Sequence, residues 1–217
     1  DFNTATEYTL SDPLEIDISG GYAQLTLNPS FTAQDIQGDL GNSYGAVVAD
    51  LNGDGHPDIY VFNTNDNKNK RNRNKLWINK GWGVFENRDI EGDIGDSYYA
   101  VIADLTGNGY PDIYVANDYD QQNRLWINDG QANFTAGDIE GDLGYSRSVV
   151  IADLNEDGKP DIYVANTGDE QNRLWINKGW GNFESGDIEG DLGFSREIVI
   201  ADINGNGHPD IYVANTR

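Results

Sequence analysis

The sequence predicts an all-β protein, a four-bladed β-propeller with four antiparallel strands in each blade. A twelve-residue motif, DLNGDGHPDIYV from Asp50, recurs from Asp104, Asp153 and Asp202 at spacings of 54, 49 and 49 residues. Each full copy holds four short strand candidates that are bounded by turn residues. The chain has 26 glycines and only 37% apolar residues, which favours many tight turns over long buried helices.

The third copy shows the elements of one repeat in order. Its strand candidates are VVIAD, DIYVAN, RLWIN and NFESGDI, within residues 149–188. Four antiparallel strands in a unit of this length match one propeller blade, and blades around an axis bury both of their faces against neighbours. This arrangement explains why the strands read as almost continuous apolar runs.

The last copy stops after DIYVANTR and supplies only the first two strands of a blade. Residues 22–36, YAQLTLNPSFTAQDI, reproduce the pattern of the two that are missing. We therefore expect the N-terminal strands to complete the last blade and close the ring, which an open solenoid or a fragment of a seven-bladed ring does not explain. The predicted blades span residues 43–90, 97–139, 146–188, and 195–217 plus 22–36.

Two segments fall outside the repeat and are candidates for self-assembly. Residues 1–21 form a predicted extension with one extra strand at LEIDI, which packs on its own propeller or pairs with a neighbouring subunit by strand addition. The basic insert KNKRNRNK, residues 68–75, is either a solvated loop or a contact for an acidic face of the next subunit or an anionic polysaccharide.

The repeated DxNxDGxxD loop predicts a calcium site. Oxygen ligands at positions 1, 3 and 5, a carbonyl at 7 and a glycine at 6 match the start of an EF-hand loop, and an Asp at position 9 closes the shell. Hairpin turns alone explain the DG and NG pairs but not that outer Asp. The candidate ligands are Asp50, Asn52, Asp54, the carbonyl of His56 and Asp58; Asp104, Thr106, Asn108, the carbonyl of Tyr110 and Asp112; Asp153, Asn155, Asp157, the carbonyl of Lys159 and Asp161; and Asp202, Asn204, Asn206, the carbonyl of His208 and Asp210.

The four loops are not expected to bind calcium equally. The first and third loops each offer three Asp side chains, whereas Asn108 and Asn206 replace the middle Asp in the other two. The second loop also has Thr106 where the others have Asn. We predict up to four calcium ions, with affinity highest in the first and third loops, lower in the fourth and lowest in the second.

The segments ADLNGDGHPDIYVFN and NKLWINKGWGVFENRDI resemble the FG-GAP or VCBS repeat of integrin-α-type propellers. The resemblance covers residues 22–217. It implies an extracellular, calcium-dependent propeller, and it leaves the ligand open because such domains occur in adhesion receptors, lectins and secreted enzymes.

Charge and composition restrict the partners. A net charge of -23 disfavours nucleic acid and anionic membranes, and no apolar run approaches the ~20 residues that a membrane span requires. There is no Cys, which excludes thiol chemistry and disulfides. The start at Asp rather than Met fits an exported protein whose signal has been removed, so we expect an extracellular location.

The sequence offers little material for catalysis. Both histidines occupy position 7 of the metal loops, where the side chain is expected to face solvent. The serines that precede each first strand, at positions 43, 97, 146 and 195, have no His nearby in sequence and are expected to bond backbone at a turn. We predict that the protein is not an enzyme.

Binding is better supported. Trp77, Trp126 and Trp175 lie inside the LWIN strands and are expected to pack between blades. Trp82 and Trp180 lie instead in KGWG turns, where an exposed indole suits a sugar ring and the alternative is folding back over a blade edge. Four further candidates vary within otherwise uniform repeats, either tuning a ligand groove or forming an exposed rim: Tyr44, Tyr98, Arg147 and Arg196.

The sequence thus predicts a secreted, non-catalytic binding or adhesion module, with carbohydrate or a cell-surface group as partner. The alternatives are a structural subunit of an extracellular filament or other assembly and, less favoured, an accessory domain of a secreted enzyme.

Overall fold

All regular secondary structure in the described part of the chain is β-strand, and every strand pair is antiparallel. The structure, a computed structural model, describes residues 6–11, 14–17, 24–27, 30–38, 41–64, 73–168 and 170–216. Within these ranges no helix has the length and apolar character needed to cross a membrane. The predicted all-β class is confirmed.

The chain divides into two compact units, residues 1–41 and 42–217. In the first unit β1 (Thr6–Ser11) pairs with β4 (Ser30–Asp35), and β2 (Leu14–Asp17) pairs with β3 (Gln24–Leu27). Residues 14–17 of the LEIDI segment form β2. The predicted single strand in residues 1–21 is wrong, because β1 also lies there and pairs with β4. The division lies after residue 41 rather than 21 because β3 and β4 pair within this unit. Completion of the fourth blade by residues 22–36 stays a prediction.

The second unit begins with three four-stranded sheets, one for each of the first three repeats. The first contains β5 (Ser43–Ala49), β6 (Asp58–Asn63), β7 (Lys75–Asn79) and β8 (Phe85–Asn87). The second contains β9 (Ser97–Ala103), β10 (Asp112–Asn117), β12 (Arg124–Asn128) and β13 (Phe134–Ala136). The third contains β15 (Ser146–Ala152), β16 (Asp161–Asn166), β18 (Arg173–Gly179) and β19 (Asn182–Ser185).

The fourth repeat contributes two long strands, β20 (Leu192–Ala201) and β21 (Asp210–Thr216). Short strands join neighbouring repeats. β11 (Gln121–Gln122) pairs with β14 (Leu143–Gly144), and β17 (Glu170–Gln171) pairs with β20. These pairings join the connection between the second and third strands of one repeat to the start of the next repeat.

The core lies between neighbouring sheets. Along β10 the side chains alternate, so that Ile113 and Val115 pack toward the first repeat while Tyr114 and Ala116 pack toward the third. Every residue of β10 and of β16 is buried. The expectation that the strands bury both faces is confirmed, and it accounts for their apolar runs.

The tryptophans of the LWIN strands belong to this core. Trp126 packs with residues of the first repeat, and Trp175 packs with residues of the second. Trp77 is also buried. The predicted packing between repeats is therefore confirmed for Trp126 and Trp175.

Candidate functional site

Each DxNxDGxxD loop folds around the carboxylate of its first Asp. In the first loop Asp50 accepts hydrogen bonds from the backbone N–H groups of Gly53, Asp54 and Gly55, at 2.8, 3.2 and 2.8 Å. Gly53 and Gly55 have φ values of 73° and 85°, which glycine adopts without a steric penalty. The loop therefore has a defined shape set by its own sequence.

The Asp at position 9 has a structural role. The buried carboxylate of Asp58 accepts the N–H of Leu51 at 2.9 Å and the N–H of Asn79 in β7 at 2.8 Å. Burial raises the pKa of Asp58, and the neighbouring charges of Asp54 and Asp50 act in the same direction. The sequence analysis assigned this residue to the cation alone, whereas the structure also uses it to join the loop to the third strand.

The donor set of the first loop fits a hard cation. A carboxylate has about four acceptor positions, so Asp50 and Asp58 keep capacity beyond their amide bonds. The exposed Asp54 is held by the N–H of His56, which lowers its pKa and favours the ionised form that a cation requires. All the donors are oxygen, which suits calcium. No group of three or more His, Cys, Asp or Glu side chains in the described ranges is arranged to hold a metal, and the calcium site stays a prediction.

The second loop departs from this pattern. The Thr106 side chain is buried and its hydroxyl donates to Asp112 at 3.1 Å, while Asn108 donates to the carbonyl of Asn128 at 3.0 Å. In the first loop the Asn52 side-chain oxygen stays within the loop, where it accepts the N–H of Asp54. The second loop therefore presents fewer side-chain oxygens than the first.

Charged side chains interact within the third loop and between the third and fourth loops. The ammonium group of Lys159 lies 3.0 Å from the carboxylate of Asp157. In the fourth loop, His208 contacts Glu156 of the third loop, and this contact raises the pKa of the imidazole. The four loops therefore differ in charge as well as in ligand count.

The two KGWG turns expose their tryptophans. Trp82 and Trp180 have relative exposures of 103% and 81%, and both adopt left-handed backbone conformations with φ of 57° and 58°. A non-glycine residue in this region carries a steric cost of about 1–2 kcal/mol. The alternative that these indoles fold back over a blade edge is wrong.

These turns lie beside the acidic loops. A Cβ on Gly81 would lie 3.1 Å from the His56 ring, so the loop and the turn of the first repeat are in contact. The N–H of Trp180 donates to the carbonyl of Thr106 in the preceding loop at 3.1 Å. Asn177 also reaches that loop, where it donates to the carbonyl of Leu105 at 2.8 Å. The first loop therefore contacts the turn of its own repeat, and the second loop contacts the turn of the third repeat.

The four variable residues come together in one place. Tyr44, Tyr98, Arg147 and Arg196 all line a single cavity of about 460 Å³ at the start of the first strands. The rings of Tyr44 and Tyr98 are 4.4 Å apart, and the Arg147 guanidinium lies 3.9 Å from the Tyr98 ring centroid. They are candidates for a shared groove rather than four separate rim positions.

The sequence analysis missed a buried polar network at the repeat boundaries. Asn74 donates to Asp93 at 2.9 Å and to Ser97 of the next repeat at 3.0 Å, and Tyr60 donates to Asp93 at 2.5 Å. The sequence did carry a signal for this network. An Asn recurs two residues before each LW pair, and an Asp recurs at the end of each EGD segment.

The expected role of the serines was wrong at two positions. The hydroxyl of Ser97 donates to the Asn117 side chain, and that of Ser146 donates to Asn166, each at 2.8 Å. Both serines are the fully buried first residues of strands, β9 and β15, and they bond Asn side chains within and across repeats.

The segments proposed for assembly lie partly outside the described residues. Of the basic insert only residues 73–75 are described, where Arg73 forms an isolated bridge with Ile94 and Lys75 forms an ion pair with Asp89 at 2.6 Å. Residues 68–72, and residues 1–5, 12–13 and 18–20 of the extension, lie outside. The self-assembly hypothesis stays a prediction.

Comparison with known proteins identifies the repeat. A family model described as FG-GAP-like repeat matches three overlapping segments, residues 50–115, 104–164 and 153–213. Together these matches cover most of the chain. No curated protein sequence matches it.

The chain matches several solved structures, of which two are described here. The first is an Agrocybe aegerita lectin, described as recognising non-reducing terminal N-acetylglucosamine, with 20% identity and a TM-score of 0.59 over 96% of this chain and 60% of the lectin chain. The second is the Photorhabdus luminescens Tc holotoxin pore, with 16% identity and a TM-score of 0.38 over 96% of this chain and 12% of that one. The chain thus spans about three fifths of the lectin chain, and the likeness shows the fold alone.

Proposed function

The chain belongs to the family of FG-GAP-like repeat proteins, and from this premise we propose that it is a non-catalytic, calcium-binding four-bladed propeller that binds carbohydrate outside the cell. The exposed indoles of Trp82 and Trp180 carry the proposal. A large aromatic held in solvent at a steric cost contributes nothing to the core, whereas it offers a flat apolar face for a sugar ring. The lectin that shares the fold, described as recognising a sugar, is consistent with this use.

The proposal includes a calcium ion bound in the acidic loops. Asp50, Asn52, Asp54, the carbonyl of His56 and Asp58 would hold the ion in the first loop, with the equivalent residues in the others. Bound calcium would supply positive charge that offsets the repulsion among the loop carboxylates. The acidic loop already contacts the turn that carries Trp82 through His56 and Gly81. We therefore expect calcium to order the sugar-binding turn as well as the loop.

The differences among the loops refine the expected order of affinity. The first loop has three Asp side chains, whereas in the third loop Lys159 already pairs with one of them, Asp157. Thr106 is committed to Asp112 in the second. We propose that the first loop binds calcium more tightly than the third, and that the second binds it most weakly.

The proposal includes no catalytic step. Both histidines are exposed residues of acidic loops, and His208 is engaged by Glu156. The recurring Ser97 and Ser146 are buried in Asn networks rather than placed beside a base.

The test is binding to a panel of immobilised glycans in calcium and in excess chelator. Trp82→Ala and Trp180→Ala, singly and together, are expected to lower binding at least tenfold without changing the melting temperature by more than a few degrees. Gln131→Ala is the matched control because Gln131 holds the equivalent position in the second repeat, which has no tryptophan. Chelation is expected to weaken binding in the wild type.

Full binding by the double tryptophan variant would overturn the assignment of these turns. The alternative role, a structural subunit of an extracellular assembly, makes a different prediction: deletion of residues 1–20 would abolish oligomers or filaments and leave glycan binding unchanged. Turnover of a bound glycan would instead support the accessory-domain reading or an enzyme.

A further inference from the structure

Each first strand of the second unit carries a β-bulge at the same position of the repeat. In β5 the register skips Tyr44, whose two neighbours pair with consecutive residues of β6. The register likewise skips Tyr98 in β9, Arg147 in β15 and Arg196 in β20. A bulge redirects a side chain out of the regular ladder, and bulges are common beside binding sites. The four side chains therefore occupy equivalent positions in the repeats, and each leaves its strand in a direction that a regular strand does not allow.

The bulged residues converge on one cavity. All four line it, and its volume of about 460 Å³ lies within the ~300–1,000 Å³ range of small-molecule sites. Every repeat contributes one bulged residue to this one cavity. It is distinct from the KGWG turns, whose tryptophans do not line it.

The cavity breaks the symmetry of the repeats. The serine before the bulge is the same in all four copies, whereas the bulged residue is Tyr, Tyr, Arg and Arg in turn. One side of the cavity is therefore aromatic, with the Tyr44 ring 60% exposed and packed against Tyr98. The other side presents guanidinium groups, of which Arg147 stacks on Tyr98. If these four positions served only the fold, they would not need tyrosines in two repeats and arginines in the other two.

The charges around the cavity are balanced. Arg147 forms an ion pair with the fully buried Asp118 at 2.7 Å, and Arg196 is followed by Glu197, which also lines the cavity. With no surplus positive charge, and on a chain of net charge -23, the site has little attraction for an anion. Its donors and acceptors suit hydroxyl groups, which donate to Glu197 and accept from Arg196.

The Arg147 guanidinium is held from behind by Asp118. A terminal nitrogen of Arg147 lies 2.7 Å from the buried carboxylate of Asp118, which does not itself line the cavity. This ion pair fixes Arg147 where it stacks on Tyr98.

We propose that this cavity, defined by Tyr44, Tyr98, Arg147, Arg196 and Glu197, binds one ring of a neutral sugar. The ring stacks on the exposed face of Tyr44, and its hydroxyls bond to Arg196 and Glu197. Asp118 fixes Arg147 in place against the ring of Tyr98. This inference rests on the proposed carbohydrate function, and it adds a second kind of site with one copy per chain.

The test uses the Trp82→Ala/Trp180→Ala double variant as background, so that the exposed turns cannot contribute. Neutral methyl glycosides of glucose, galactose, mannose and N-acetylglucosamine are titrated and followed by NMR, with glucuronate as the anionic comparison. We expect the background to bind at least one neutral glycoside with one ring per chain. Tyr44→Ala and Arg196→Ala, each in this background, are expected to weaken that binding at least tenfold. Tyr212→Ala is the matched control because Tyr212 is also 60% exposed but lies on β21, outside the cavity.

The outcomes separate the two proposals. Three results would each overturn the cavity assignment. The Tyr44→Ala and Arg196→Ala variants could bind the glycoside as tightly as the background does. The background could bind no neutral glycoside, or it could prefer glucuronate. Loss of immobilised glycan binding in the double tryptophan variant supports the turns whatever the cavity does. Retention of that binding together with sensitivity to Tyr44→Ala would overturn the turns and support the cavity. Wild-type protein that binds no sugar at all would overturn both. Melting curves of every variant separate lost binding from lost folding.

Discussion

The side-chain amide of Asn123 donates a hydrogen bond of 3.1 Å to the hydroxyl of Ser146, and this bond crosses the boundary between the second and third repeats. The same amide donates to Asp142 at 3.0 Å, and its oxygen accepts the N–H of Asn117 at 2.8 Å. All four residues are buried. One side chain therefore satisfies three buried groups on two repeats, which makes it a link that an apolar residue cannot replace.

Asn123→Ala should be strongly destabilising. It leaves an N–H, a hydroxyl and a carboxylate without this partner, and each buried group left unsatisfied costs about 1–3 kcal/mol. We expect a loss of roughly 3–5 kcal/mol in the free energy of unfolding, measured by urea denaturation.

Asn172→Ala is the matched control at the next boundary. Asn172 bonds Asn166 and Asp191 but makes no bond to Ser195, whose hydroxyl has no partner among the described residues. Its loss should be smaller by about 1 kcal/mol. Equal losses for the two variants would show that the bond to Ser146 contributes nothing.

Tyr114→Phe should give a destabilisation that depends on pH. Tyr114 donates to the buried Asp142, whose pKa is raised by burial and lowered in part by this hydrogen bond. A group with a raised folded-state pKa contributes stability below its unfolded pKa and loses it as pH rises through the folded pKa. Removing the Tyr114 hydroxyl raises the pKa of Asp142 further, because the ionised carboxylate loses a hydrogen-bond donor. The destabilisation is therefore largest where Asp142 is ionised.

We expect Tyr114→Phe to lower stability by about 1.5–3 kcal/mol at pH 7.5, the range for a hydrogen bond to a charged group. The loss should shrink as the pH falls, because Asp142 takes up a proton. Tyr212→Phe, at the equivalent but exposed position in the fourth repeat, should change stability little at any pH. A loss that does not vary with pH would show that Asp142 keeps one protonation state throughout.

The strands were predictable from sequence because their determinants are local. DIYVAN and RLWIN carry their own apolar pattern and turn residues, and β16 and β18 begin where those segments begin. The bond from Asn123 to Ser146 was not predictable, since it joins residues 23 apart through the packing of two sheets. The role of Asp58 was only partly predictable, because a repeated Asp looks the same whether it holds a cation, backbone amides or both.

The sequence indicated the cavity only through the variation of residues at equivalent positions of the repeats. The sequence showed that Tyr44 and Arg196 differ at equivalent positions, but their convergence depends on a bulge in each strand and on the packing of four repeats. Neither feature has a signal in a single sequence.

Lys159→Ala should increase the calcium affinity of the third loop. Lys159 lies 3.0 Å from Asp157, so a bound ion must compete with its ammonium group. Removing that charge should tighten binding several-fold, seen as a larger rise in melting temperature at a fixed calcium concentration. Lys178→Ala is the control, since Lys178 pairs with Glu184 outside the loop. If both variants respond to calcium like the wild type, the third loop does not bind it.

Trp180→Gly should leave stability almost unchanged while it removes binding. The indole is 81% exposed, so it contributes little burial, and its left-handed φ of 58° suits glycine better than tryptophan. The steric relief of about 1 kcal/mol opposes an entropic cost of about 0.4–1 kcal/mol from the more flexible unfolded chain. Trp175→Gly, in the buried core, should instead cost at least ~3–5 kcal/mol. Urea denaturation of both variants checks this contrast, and a loss for Trp180→Gly as large as that for Trp175→Gly would mean that the exposed indole serves the fold rather than a ligand.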